Sequence, residues 1–265
     1  MTVLTTEFPD LGVTLFSRWI FNCYVVHDGG DGRPLVVDVG LPSLARRLVD
    51  WLEASNPGAQ PVVVATHGHS DHVGGLPVLG PDIQRTVAFP AKIEEYRSGT
   101  SARTPGPRAA LSIGPVFGDQ PFSIGALGEL IGAARKIGYD ARGARFPDAP
   151  DHWLTDGDRI PGASSWEVIH TPGHTDDSTS FWNSSTGVLL SGDSVLSCGG
   201  RAWFTPELVD ETTADDTEAR LRPLRASAVL PGHGRPVVGS NVMAHALDRS
   251  ERPPSQGRFW DRLGR

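Results

Sequence analysis

The sequence predicts an α/β protein, and three observations carry that prediction. Short β-branched runs alternate with a helical stripe in the first ninety residues. A second series of such runs follows residue 150, so the chain divides into two similar strand-rich halves. Four of the runs end in histidine or aspartate, which puts reactive side chains at the carboxyl ends of strands.

Residues 13–16 and 19–26 have the β-branched and aromatic content of strands. Asp28-Gly29-Gly30-Asp31-Gly32 supplies the turn chemistry for a hairpin, and residues 35–39 form the returning strand. Within that apolar run Asp38 must be hydrogen-bonded if it is buried. Residues 42–54 place Leu44, Leu48, Trp51 and Leu52 at helical spacing, with Pro42 tolerated at the start and Asn56-Pro57-Gly58 beyond the end. Residues 62–65 and 83–89 complete the first series of strands.

Between 91 and 150 the composition shifts to Gly and Pro around one helical stretch, 126–137, and eight Lys and Arg stand against six Asp and Glu. This insertion is expected to cover the site and set substrate choice, because loops on a fixed scaffold carry specificity. Residues 158–160, 166–169, 177–182 and 187–190 are the second set of strands, with a hairpin turn at 183–187. Residues 213–226 are acidic early and basic late, the polarity that complements a helix dipole, and Pro223 divides them into two segments. A last helix is expected at 241–249 and a loosely packed tail at 251–265.

With 265 residues the chain can bury a large core, and ligands spread from His67 to His233 that must meet imply one domain over the whole length. A net charge of −7 disfavours a polynucleotide partner, which needs clustered positive charge. Two cysteines, Cys23 and Cys198, make no disulfide framework, and Cys198 is expected to be a small buried side chain. The amino terminus lacks the features of a secretory signal and no stretch approaches a membrane span, so a soluble, cytoplasmic protein acting on a small molecule is expected.

Thr66-His67-Gly68-His69-Ser70-Asp71-His72-Val73-Gly74-Gly75 holds four metal-ligand side chains within six residues, directly after a buried strand. Imidazole and carboxylate suit borderline divalent ions, and a loop lets closely spaced side chains converge where a straight helix would splay them. His174, Asp193 and His233 each close a later apolar segment, each preceded by glycine. His27, His152, His170 and His245 lie outside this pattern and are taken as framework residues.

This pattern resembles the metallo-β-lactamase superfamily over roughly residues 13–240, apart from the insertion: its signature His-x-His-x-Asp-His is matched at 67–72 and its three later ligand motifs follow in order. The resemblance implies a four-layer αββα sandwich. It also implies two divalent ions, zinc first and iron or manganese as alternatives. One would be held by His67, His69 and His174 and the other by Asp71, His72 and His233, with Asp193 shared. Asp71 would orient the hydroxide generated between the ions, and Asp38 would brace the metal loop. Gly192-Asp193-Ser194 lacks the flanking pattern of a serine nucleophile elbow, so Ser194 is assigned to the surroundings of the site. Dedicated class B β-lactamases lack a bridging aspartate, and the pattern is closer to glyoxalase II, lactonase and ribonuclease Z types. A hydrolase of thioesters or lactones is expected first, on the acidic surface and the missing basic arm. A mononuclear iron sulfur dioxygenase using His67, His174 and Asp193, a phosphodiesterase and a non-catalytic binding protein are the alternatives.

Overall fold

The structure, a computed structural model, describes residues 2–80, 83–136, 139–140, 143–144 and 149–253. The first half of the chain supplies β1 (Leu4–Phe8), β2 (Val13–Arg18), β3 (Phe21–Val26), β4 (Leu35–Val37), β5 (Val62–Val64) and β6 (Thr86–Pro90). A small ribbon, β7 (Tyr139–Asp140) and β8 (Gly143–Ala144), precedes β9 (His152–Leu154). These strands, the ribbon apart, form a seven-stranded sheet in the order β1-β2-β3-β4-β5-β6-β9, antiparallel as far as β4 and parallel beyond it. The second half supplies β10 (Arg159–Ile160), β11 (Ala163–His170), β12 (Thr179–Asn183), β13 (Val188–Gly192), β14 (Val195–Cys198), β15 (Arg201–Phe204), β16 (Ala228–Pro231) and β17 (Val237–Val238). Six of them make a second sheet, β10-β11-β12-β13-β16-β17, and β14 and β15 pair as a separate hairpin.

The alternation of side chains along the strands sorts the core into layers. Leu35, Val37, Val62 and Val64 face Trp166, Val168, Phe181, Leu190 and Leu230, so one cluster fills the space between the sheets. The intervening Val36 and Val63 pack instead with Leu44, Leu48 and Leu52 of α1 (Pro42–Ser55). On the opposite side Leu189 and Val229 pack with Leu221 of α7 (Glu211–Leu221). Helix, sheet, sheet, helix is the predicted αββα order. Fully buried leucines such as Leu48 anchor it, and truncating one to alanine costs about 2–5 kcal/mol.

Several elements differ from the sequence expectation. Helix α2 (Ser70–Val73) takes up Asp71 and His72, so only His67 and His69 are presented by a loop; one helical turn is too short to splay its ligands. Residues 19 and 20 are a turn before β3 and not its first residues, because Trp19 has φ +58°. The insertion holds not one helix but α3 (Lys92–Arg97), α4 (Pro107–Ser112), α5 (Gly114–Asp119) and α6 (Ile124–Lys136). Helix α7 stops before Pro223 as one segment, capped by the Asp210 carboxylate accepting from Thr213 N–H at 3.1 Å. The final helix shrinks to a short 3₁₀ turn, Val242–His245, and the tail from residue 254 lies outside the described residues.

Candidate metal centre

Four strand ends meet at the carboxyl edge of the two sheets. His67 follows β5, His174 follows β11, Asp193 follows β13 and His233 follows β16, while α2 swings Asp71 and His72 into the same space. Three overlapping groups result, His67/His69/His174, His67/His72/Asp193 and Asp71/His72/His233, each with ligand atoms within 4.8 Å of one another. At their middle, Asp193 Oδ2 lies 3.1 Å from His233 Nε2, 3.4 Å from His72 Nε2, 3.5 Å from His174 Nε2 and 4.0 Å from His67 Nε2. Asp71 Oδ2 lies 3.1 Å from His233 Nε2.

The glycines before these ligands have a steric reason. Gly192 has φ +51°, and a Cβ there would stand 2.6 Å from Thr66 Cβ. A Cβ on Gly232 would meet Asp193 Oδ1 at 2.4 Å and His72 Cε1 at 2.6 Å. Neither position has room for a side chain, so the ligand strands can close on the centre only through glycine.

The surroundings fix which ring nitrogen faces inward. His174 Nδ1 donates to Glu207 O (2.8 Å), His233 Nδ1 to Ile20 O (3.3 Å) and His72 Nδ1 to Asp38 Oδ2 (2.9 Å). Carbonyl and carboxylate oxygens only accept, so each ring carries its hydrogen on Nδ1 and, when neutral, turns the Nε2 lone pair to the centre. Asp38 also accepts from Thr66 N–H (2.8 Å) and Thr66 Oγ1 (2.9 Å), which ties β4 to the metal loop. Asp177 accepts from Gly68 N–H at 2.8 Å. Asn22 donates to Pro231 O and Gly234 O, and Tyr24 Oη donates to Pro231 O, holding the turn that carries His233. The Ser194 hydroxyl bonds Thr171, on the strand exit that leads to His174, at 2.9 and 3.1 Å.

Electrostatics splits the histidines into two kinds. Burial, with His72 and His69 adjacent, holds His67 well below its usual value, and burial with His174 brings His69 down to about 3. Burial also opposes protonation of His233 and His72, but the Asp193 and Asp71 carboxylates beside both, with Asp38 beside His72, together outweigh it, raising His72 and taking His233 to about 10. For Asp193 and Asp71 burial is likewise outweighed, by His233 and His72, and both carboxyls fall below the usual carboxylate range. The donor set fits cations: among the described residues, buried His67 Nε2, His72 Nε2 and Asp193 Oδ1 have no hydrogen-bond partner, and anionic carboxylates stand among imidazole nitrogens turned inward.

The remaining histidines lie elsewhere: His27 stacks on Trp51, and His170 Nε2 donates to Asp176 O. Cys198 is buried, its thiol pushed up to about 12 by burial and Asp119. Sequence reasoning missed Thr66, Asp177, Asn22 and Tyr24. Thr66 and Asp177 adjoin ligand motifs, whereas Ile20 and Glu207 act through backbone carbonyls that leave no trace in side-chain identity.

Residues 18–233 match the metallo-β-lactamase superfamily. The chain belongs to that superfamily. A relative from Bacillus subtilis, the "Probable metallo-hydrolase YflN", is 24% identical over 260 residues, covering 91% of this chain and 90% of its own. A hydroxyacylglutathione hydrolase from Pseudomonas fluorescens is 29% identical over 188 residues, 69% of this chain and 51% of its own. Among solved structures, the B3 metallo-β-lactamase BLEG-1 aligns with a TM-score of 0.53 at 22% identity, over 82% of this chain and 88% of its own. The di-iron-bound form of TTHA1623 aligns with a TM-score of 0.53 at 21% identity, over 90% and 94%. At these identities the structures speak for the fold. The superfamily match and the hydrolases among the sequence relatives make this chain a metal-dependent hydrolase.

Proposed function

We propose that the protein is a dinuclear metallohydrolase of ester-type acyl bonds, thioester or lactone, with Asp193 shared between two ions. The observation that carries this is the position of Asp193 Oδ2 within 4.0 Å of four histidine nitrogens drawn from both halves of the chain. His67, His69 and His174 would hold one ion; Asp71, His72 and His233 would hold the other. Ions held there would supply a water of lowered pKa and a Lewis acid for the substrate carbonyl. Zinc fits the nitrogen and oxygen donors, as do iron and manganese.

The chain's own residues supply orientation and proton handling. The Asp71 side chain is 18% exposed against 3% for Asp193, so of the two carboxylates it is the one open to a substrate. With one oxygen against His233, Asp71 can accept a hydrogen bond from the attacking water and direct its lone pair to the carbonyl. His72 and His233 are kept from rotating by Asp38 and by Ile20 O. The hydroxyacylglutathione hydrolases among the relatives favour an acyl substrate.

Metal analysis and activity test this together. Protein purified without added ions should carry two per chain, hydrolyse thioesters or lactones, and lose that activity to chelation. His67→Ala should abolish turnover with the fold retained by circular dichroism, and His72→Ala should cost one equivalent of metal. One iron per chain, with oxygen consumed on a persulfide substrate and no ester cleaved, would replace the hydrolase assignment with a dioxygenase.

A further inference from the structure

Beside the metal centre lies a carboxylate, Glu207, that ligates nothing in it. Glu207 stands between β15 and α7, and its backbone carbonyl accepts from His174 Nδ1 at 2.8 Å. The loop that carries it is tied down on both sides. Glu207 N–H donates to Thr205 Oγ1 at 3.2 Å, while Val209 N–H and Asp210 N–H donate to Gly173 O at 2.8 and 3.2 Å. Arg103 of the insertion adds a strap, pairing with Asp176 and, at 3.2 Å, with Asp210. The backbone at Glu207 is thus fixed to the segment that presents His174.

Its side chain has no such tie. Among the described residues Glu207 bonds through its backbone alone, whereas the carboxylates of Asp38, Asp71, Asp177 and Asp193 around the same centre all have partners. Burial holds the Glu207 carboxyl above its usual value, and the charges acting on it are those of the centre: His174 and His233 draw it down, Asp193 and Asp71 push it up. It is near enough to feel four members of the centre, yet it joins none of the three groups of ligand atoms. Nor does it turn away. Leu208, the next residue, lines the closed space behind His174 with Thr171 and Phe204, and Glu207 takes no part in that lining. His67, His72, His174, Asp193 and His233 are buried, whereas His69, Asp71 and Glu207 are partly exposed, so solvent reaches the centre beside these three. An unpartnered carboxylate drawn partly out of water destabilises the fold until an opposite charge meets it.

We propose that Glu207 selects the substrate by its charge: the carboxylate receives a cationic nitrogen that stands a few bonds from the scissile carbonyl. The enzyme then acts on esters or thioesters bearing an ammonium group, in preference to neutral or anionic ones. A neutral substrate leaves the carboxylate bare and an anionic one is repelled by it, so a single residue discriminates in both directions. This specificity rests on the hydrolase assignment above, and two kinds of measurement keep them apart.

The first is kcat/KM of the metal-loaded enzyme on isosteric pairs that differ in charge: β-alanine ethyl ester against ethyl butyrate, and acetylcholine against neohexyl acetate. The cation lies on the acyl side in one pair and on the alcohol side in the other, so the pair that responds says which side of the scissile bond Glu207 serves. Comparing wild type with Glu207→Gln cancels the intrinsic reactivity of each ester. In one pair the preference for the cation should fall about 10- to 100-fold in Glu207→Gln, the range of a lost hydrogen bond to a charged group. Glu53→Gln, which removes an equal charge from the exposed face of α1, should leave it unchanged. Metal content should also be unchanged in Glu207→Gln, because the backbone carbonyl on His174 remains. The second measurement is calorimetric binding of β-alanine against butyrate and of choline against neohexyl alcohol, which needs no turnover. A preference for the cation that Glu207→Gln removes, in a protein that cleaves no ester, would sink the hydrolase assignment and leave the role of Glu207 standing. A preference that Glu207→Gln preserves in both pairs, or no preference in wild type, would overturn the proposal. So would loss of an equivalent of metal from Glu207→Gln, which would give the carboxylate to the ions.

Discussion

Replacing Asp38 by Asn should unload the metal centre without unfolding the protein. Asp38 is buried at φ +60°, a conformation asparagine shares, so the exchange adds no backbone strain. The carboxylate accepts three hydrogen bonds, two from Thr66 and one from His72 Nδ1. An asparagine amide turned to His72 offers a donor where an acceptor stood, so the imidazole must move its hydrogen to Nε2 and lose the lone pair it turns to the centre. Loss of such a partner typically lowers metal affinity about 10- to 100-fold, or about 1.4–2.8 kcal/mol. Asp38→Ala is harsher in the metal-free protein. It leaves Thr66 N–H buried without an acceptor, at about 1–3 kcal/mol, and His72 Nδ1–H with only Thr66 Oγ1 at 3.4 Å. Competition of each loaded variant against a chelator, with urea unfolding of the stripped forms, measures both effects. An Asp38→Asn protein binding metal within about threefold of wild type would refute the tautomer reasoning, threefold being well below the loss expected.

Gly232→Ala should lower metal affinity more than stability, because the added methyl meets Asp193 and His72 rather than the core; chelator competition set beside the thermal midpoint tests this. Glu129 is partly buried, yet its hydrogen bonds to Ser43 and to Arg18 at 2.5 Å hold its carboxyl below the usual range. The stability it contributes is therefore present above the unfolded value of about 4.3 and lost as pH falls through the lower folded value. Wild type and Glu129→Gln should differ in urea midpoint by a constant amount from pH 7 to about pH 4.3 and converge as pH falls further, and a difference that persists unchanged well below that pH would count against the assignment. Cys23 and Cys198 are buried with their thiols raised by burial, so neither should react with a thiol reagent at pH 8 until the protein is unfolded.

The parts legible in the sequence were those set by spacing. The meeting of the run 67–72 with the glycine-preceded His174, Asp193 and His233 could be read because close backbone approach constrains residue type directly. Helix α1 was legible because a single apolar stripe spans its four turns. The insertion was not, because α3, α4 and α5 have six residues each, too few for a helical period to stand out from Pro and Gly. The β14–β15 hairpin was missed because its turn, Gly199-Gly200, follows so soon after Asp193 that the run reads as loop. Trp19 has the propensity of a strand residue, but it stands at φ +58° among the rings of Phe21, Phe117 and Phe122, contacts that no local pattern announces.

Asp193 and His233 end neighbouring parallel strands of the second sheet, whereas His67 and His72 belong to the first. An ion held among them is a clasp across the two sheets, and only chains in which the halves have already docked can take it up. Metal supply is thus coupled to the folding equilibrium: free ion at a hundredfold excess over its dissociation constant would deepen the native well by about 2.7 kcal/mol. A cell short of the ion would lose catalysis and, with it, a margin of native stability, so newly made chains would open to proteolysis more often while the clasp stays undone.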